Sequence, residues 1–334
     1  MGEAASSFFA RKSFSEARCA SDSLYRGPLA WSASRQPPSF FFRATGFAAE
    51  LEVVQRTPPA MPAVELKASS KLNLKQVPEC SALWSSTLHP GVFWTLSDSG
   101  NKPEIVPVRA DGSTVIGPTG PWLGVTLKGL KNTDWEALTA DGQGNLILGD
   151  VGNNLSRRKE LAFYVFKEPA LGAKEVSDFK KYTFSWPDQT VYPDPEISHD
   201  CEAIFVVRGK LYLLTKHRRD TLTDLWRAEL PAVGEQAVLT KVARFDAKGM
   251  VTDASVSPDG KRLAVLTYRM AWVFDLPATG ETFFLGPAKV APLSPPLLSW
   301  QVEGCAWLDA QTLLIGSEQG DLFKLPLSAL KDVP

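Results

Sequence analysis

The chain contains no run of eighteen or more apolar residues, so no helical membrane span is expected. Its four cysteines and three histidines form no Cys-x-x-Cys or His-x-x-x-His pair, which argues against a structural zinc site. Gly-x-Ser-x-Gly is missing, and with it the nucleophile elbow of ordinary serine hydrolases. The glycine-rich pieces Gly142-Gln143-Gly144 and Gly149-Asp150-Val151-Gly152 lack a following helical pattern and the lysine of a P-loop. No sustained helical period follows residue 60, which excludes a parallel sheet with crossover helices. With 36 basic and 37 acidic residues the formal net charge is −1, so there is no electrostatic footprint for DNA, RNA or an anionic membrane.

What the chain does contain is a repeat. Glu79-Cys80-Ser81-Ala82-Leu83, Asp134-Trp135-Glu136-Ala137-Leu138, Asp200-Cys201-Glu202-Ala203-Ile204, Val251-Thr252-Asp253-Ala254-Ser255 and Glu303-Gly304-Cys305-Ala306-Trp307 align on their alanines, 55, 66, 51 and 52 residues apart. Each is followed by an apolar run ending in a polar residue: Asp98, Asp150, Lys216, Tyr268 or Glu318. Within a unit, short alternating segments of β-branched and aromatic residues are separated by turns such as Ser257-Pro258-Asp259-Gly260. The fifth unit ends one strand short, and Val64 to Leu74 is an alternating segment without a home. These observations predict an all-β fold, a five-bladed β-propeller spanning residues 61–334, with the N-terminal strand closing the last blade.

Residues 1–60 read as a leader outside the repeats, disordered or draped over the surface, with Met61 as an alternative start. The leader lacks the uninterrupted apolar stretch of a secretory signal, so the expected location is cytoplasmic. Cys80, Cys201 and Cys305 fall inside the repeated first strand, where a small, reduced, buried side chain suits close packing.

In a propeller the first strand of each blade lines the central channel, so the acidic residues at its start converge on the axis. Glu79, Asp98, Asp134, Glu136, Asp150, Asp200, Glu202, Asp253 and Glu303 are the candidate metal ligands. So many carboxylates cannot all stay ionised in a partly dry channel without compensation. A divalent cation would supply it, and calcium suits many oxygen ligands in flexible geometry. Two other readings compete: a metal-free acid/base site using nearby Lys and Arg, and structural capping of strand ends. Glu136, Glu202, Asp253, Lys216, His217 and Arg269 are the candidate catalytic residues. The carboxylates and His217 would move protons, and the two cations would steady negative charge.

The segments Phe93-Trp94-Thr95-Leu96-Ser97-Asp98-Ser99-Gly100-Asn101, Asp134-Trp135-Glu136-Ala137-Leu138, Leu148-Gly149-Asp150-Val151-Gly152-Asn153-Asn154 and Asp200-Cys201-Glu202-Ala203 resemble an uncharacterised bacterial β-propeller family, loosely related to phytase-like and lactonase-like propellers. That resemblance covers about residues 64–330 and implies a calcium-centred channel with hydrolysis of a phosphoester or lactone. The dense basic patch of a phytase is missing, and neither catalytic set matches residue by residue. The expected function is a metal-dependent hydrolase acting on a small lactone, ester or phosphoester. A lyase or cyclase would need much the same groups. The competing expectation is a non-catalytic propeller that binds a protein partner through exposed aromatics, with Trp122, Trp186 and Trp300 lying in connections.

Overall fold

Alternating apolar residues, interrupted by turns that glycine can make, build this chain into antiparallel sheets. The blade-four hairpin shows how: Gly260 takes φ +70° and its N–H donates to Ser257 O at 2.8 Å, closing the Pro-Asp-Gly turn. The computed structural model describes residues 51–297 and 300–334. The expected leader lies outside the described residues as far as residue 50.

Five sheets form the blades of a β-propeller. Blade one runs outward through Cys80–Ser85, Phe93–Ser97, Glu104–Val108 and Val125–Leu127. Blade two uses Trp135–Ala140, Asn145–Asp150, Leu161–Lys167 and Lys180–Phe184, and blade three uses Cys201–Val207, Lys210–Thr215, Leu222–Glu229 and Val238–Asp246. Blade four comprises Val251–Val256, Arg262–Thr267, Met270–Asp275 and Ala288–Ser294. Blade five supplies Val302–Asp309, Thr312–Ser317 and Asp321–Pro326 from the C-terminal end, and its outer strand, Ala68–Lys71, from the N-terminal end. Among the described residues the only helix is the short 3-10 turn Leu327–Ala329, and no helix is long and apolar enough to cross a membrane.

The expected closing segment divides between two blades. Ala68–Lys71 completes blade five, whereas Val64–Glu65 runs parallel to the outer strand of blade four. Val53–Val54 adds a parallel edge to blade three, and Lys331–Asp332 pairs with the outer strand of blade four. Both ends of the described chain therefore cover edges that would otherwise present unpaired backbone groups.

The core is divided into clusters that sit between neighbouring blades. Trp94 and Trp135 belong to the cluster between blades one and two, Phe245 and Trp272 to that between three and four, and Trp307 and Ile315 to that of four and five. Trp94, Trp135, Trp272 and Trp307 are among the largest fully buried side chains. Truncating such a ring to alanine costs about 3–5 kcal/mol. Between blades five and one the packing is closer. A Cβ at Gly304 would come within 2.8 Å of Leu83, and one at Gly316 within 2.9 Å of the Cys80 Sγ.

Candidate metal centre

Every first strand carries a bulge at the same point. Register shifts fall between Cys80/Ala82, Trp135/Ala137, Cys201/Ala203, Val251/Asp253 and Val302/Gly304. The extra residues are Ser81, Glu136, Glu202, Thr252 and Glu303. A bulge re-aims a side chain without breaking the strand, and this one repeats around the ring. The last two units thus register one and two residues away from the alanine alignment, because Asp253 and Gly304 occupy the places of Ala82, Ala137 and Ala203. The two hydroxyls at the bulge staple blades: Ser81 Oγ donates to Trp135 O at 3.0 Å and Thr252 Oγ1 to Val302 O at 2.8 Å. The three glutamates, each nearly sealed from solvent, act on one another's charge across the axis.

The second strand ends beside them. The residues following Ser97, Thr215, Thr267 and Ser317 are Asp98, Lys216, Tyr268 and Glu318; in blade two that place holds Val151, with Asp150 one step earlier. Lys216 Nζ stands 3.1 Å from Glu202 Oε2 and 3.7 Å from Glu303 Oε1, and 4.8 Å from the ring centre of Tyr268. Burial works against the Lys216 charge, yet Glu202 and Glu303 overcome it and hold its pKa well above the usual lysine range. Tyr268 donates its hydroxyl to Glu303 Oε1 at 2.8 Å. The Glu318 carboxyl is hydrogen-bonded to Glu303, and Gln301 Nε2 donates to Glu318 Oε1. Burial, then the Glu303 charge, pushes Glu318 up to about 7.

Blades one and two bring together a trio. One oxygen each from Asp98, Asp134 and Glu136 lies within 4.8 Å of the others. Asp98 is half-buried, and its carboxylate accepts the Ser99 N–H. Asp134 is 8% exposed and Glu136 3%. Neither carboxylate accepts a hydrogen bond or meets a cation at ion-pair distance among the described residues. Burial, then Asp98 and Asp200, pushes Asp134 up to about 7. Burial, then Glu202 and Asp98, pushes Glu136 well above the usual carboxylate range. The negative charge here is in excess.

The fold is similar to solved propellers. One is a chain of a crystal structure of the Mitotic Checkpoint Complex, 12% identical, with a TM-score of 0.39, covering 84% of this chain and 98% of that one. Another is the Cps50 (Swd1) β-propeller domain of Myceliophteria thermophila, 11% identical, with a TM-score of 0.36, covering 74% and 97%. Neither likeness carries an argument about function. No family model and no curated protein matches the chain.

The remaining expected ligands are held by protein groups. Asp200 Oδ1 accepts Asn153 N at 2.6 Å, and its Oδ2 accepts Arg218 Nε and Nη2 at 3.0 and 2.8 Å. Asp150 Oδ1 accepts Arg158 Nη2 at 2.7 Å and the Asp134 N–H at 3.2 Å. Asp253 takes the amides of Cys305, Ala254 and Leu83, tying blades four, five and one at the axis. Glu79 accepts Asn101 Nδ2 at 2.9 Å near the surface. These four are anchored, whereas Asp134 and Glu136 have no such partner among the described residues.

His217 and Arg269 are placed elsewhere. His217 Nδ1 lies 3.1 Å from Asp220 Oδ1 and Nε2 3.7 Å from Asp224 Oδ2, within blade three. Arg269 Nη1 donates to the backbone oxygens of Tyr268 and Trp300 at 2.7 and 3.3 Å. The exposed aromatic surface expected at Trp122 and Trp186 does not form. Both are 3% exposed, Trp122 meeting Trp94 edge-on and Trp186 packing on Phe184 and Trp226, while Trp300 is half-buried. Cys80, Cys201 and Cys305 are free and buried, and burial pushes the Cys80 thiol up to about 12, away from thiolate chemistry. Sequence reasoning assigned no role to Tyr268, Glu318 or Arg158. The signal for the first two was their place after the second strand, shared with Asp98 and Lys216.

Proposed function

We propose that this propeller is a divalent-cation-dependent hydrolase acting on a small lactone, ester or phosphoester at the carboxylate mouth of its channel. The supporting observation is the pair Asp134 and Glu136, buried beside Asp98 without a donor or a cation among the described residues. Unpaired buried carboxylates are costly unless they take up protons or a cation. An all-oxygen donor set with water and carbonyl positions to add suits calcium. Asp98, Asp134 and Glu136 would hold the ion. When bound, it would polarise a carbonyl or phosphoryl oxygen and lower the pKa of a coordinated water.

The chain's own groups support the rest of the reaction. Lys216, fixed between Glu202 and Glu303, holds both carboxylates in place beside the proposed ion site. Glu318, hydrogen-bonded to Glu303 and poised near neutral pH, is the group suited to hand a proton to a leaving oxygen. Tyr268 keeps Glu303 oriented for that exchange. A panel of lactones, aryl esters and phosphoesters, assayed with calcium and after chelation, tests the proposal. Turnover that requires calcium and falls at least a hundredfold in Glu136→Gln supports it. Turnover indifferent to both removes it.

A further inference from the structure

We infer that the opposite mouth of the channel is a second binding site, for a neutral pyranose sugar. This inference is independent of the cation reading. The first strands end at that mouth, where they and the hairpin tips enclose a cavity of about 540 Å³. Small-molecule sites occupy roughly 300–1,000 Å³. All five blades contribute to the wall, through Trp84 and Ser85, Ala140, Val206, Ser255 and Trp307.

The charged groups at the rim are already engaged. Arg208 donates to Pro277 O at 2.7 Å and to Gly280 O. Asp141 Oδ1 accepts the N–H groups of Gln143 and Asn145 at 2.7 and 3.1 Å. The two are opposite in sign, so the rim offers an ionised ligand no net counter-charge for the hydration it would lose. Two kinds of group remain to be used. The Trp84 indole is half-buried in the wall, and the Ser255 hydroxyl, in a residue 2% exposed, bonds to no described residue. Ser85, half-buried beside Trp84, likewise has a hydroxyl without a described partner.

A pyranose carries both complements. Its C–H face packs on an indole, and its hydroxyls can give and accept hydrogen bonds at Ser255 and Ser85. A flat aromatic ligand would use the indole but leave the Ser255 hydroxyl unpaired in a drier site, which is unfavourable.

Saturation-transfer NMR on the full chain, with methyl glycosides of glucose, galactose and mannose, tests the site. Glucuronate and phenol serve as charged and aromatic controls. Transfer to the ring C–H protons of a neutral sugar is expected, with affinity roughly tenfold weaker in Trp84→Ala and retained in Trp84→Phe. Ser255→Ala, a change too small to threaten folding, is expected to weaken binding as well. The inference is overturned if no neutral sugar shows transfer, if phenol or glucuronate binds better, or if both alanine variants that fold bind like the parent.

Discussion

Gly152 lies directly against Asp134: a Cβ at position 152 would stand 2.5 Å from the Asp134 Cγ and 2.8 Å from the Glu136 Cγ. The turn after the second strand of blade two thus leaves room for two carboxylates to sit side by side. Gly152→Ala is expected to push one or both out of the trio while leaving every ligand residue in place. Calcium affinity should fall on the order of ten- to a hundredfold, the loss typical when support behind a metal ligand is disturbed. Isothermal titration of the variant reads this directly, and unchanged affinity would separate Gly152 from the site.

The fold was legible where the sequence repeats. The alanine-centred first strands, the Pro-Asp-Gly turn and the strand missing from the last unit lead to five blades and an N-terminal contribution. The bulge was less visible, because Ala254 and Ala306 offer a false register that only the pairing of Asp253 with Leu266 and Gly304 with Gly316 resolves. The division between anchored and free carboxylates could not be read from composition. Asp200 and Glu136 look alike in sequence, yet Arg218 arrives at one while, among the described residues, no donor or cation arrives at the other. Trp122 and Trp186 misled for the opposite reason: a tryptophan in a connection can fold back onto the core.

Acidity should stabilise the cation-free protein. The Asp134 and Glu318 pKa values are raised in the folded state to about 7, from 3.8 and 4.5. The folded state therefore binds more protons than the unfolded state across that window. Stability from these groups is fully present below the unfolded values and is lost as pH rises through about 7. The melting temperature after chelation is expected to fall between about pH 5 and pH 8, and less steeply in Asp134→Asn. Calcium should raise it most at the alkaline end, where the carboxylates are ionised. A melting temperature that rises over this range would contradict the assignment.

Lys216 holds two buried glutamates. Replacing it with methionine leaves Glu202 and Glu303 without their shared cation, and breaking such a buried pair costs about 3–5 kcal/mol. Adding Glu202→Gln to that variant should recover part of the loss, since one buried charge is then removed. Urea denaturation of the single and double variants checks both steps. Equal stability of parent and Lys216→Met would show that the pair contributes nothing.

The N-terminal segment closes the ring. Deleting residues 1–62 removes the Val53–Val54 edge but keeps Ala68–Lys71, whereas deleting 1–72 uncovers the outer edge of blade five. The longer deletion is expected to melt lower and to self-associate through the exposed strand. Light scattering and calorimetry on the two truncations distinguish them, and identical behaviour would mean that Ala68–Lys71 is dispensable.

Calcium titration of chelator-treated protein at about pH 7.5, monitored by calorimetry in parallel with Asp134→Asn and Glu136→Gln, decides whether the carboxylate trio binds a cation. The expected result is one calcium per chain in the parent, a raised melting temperature on binding, and loss of both effects in the two variants. No heat of binding and no thermal shift in the parent, or undiminished binding in both variants, would contradict the carboxylate trio as a cation site.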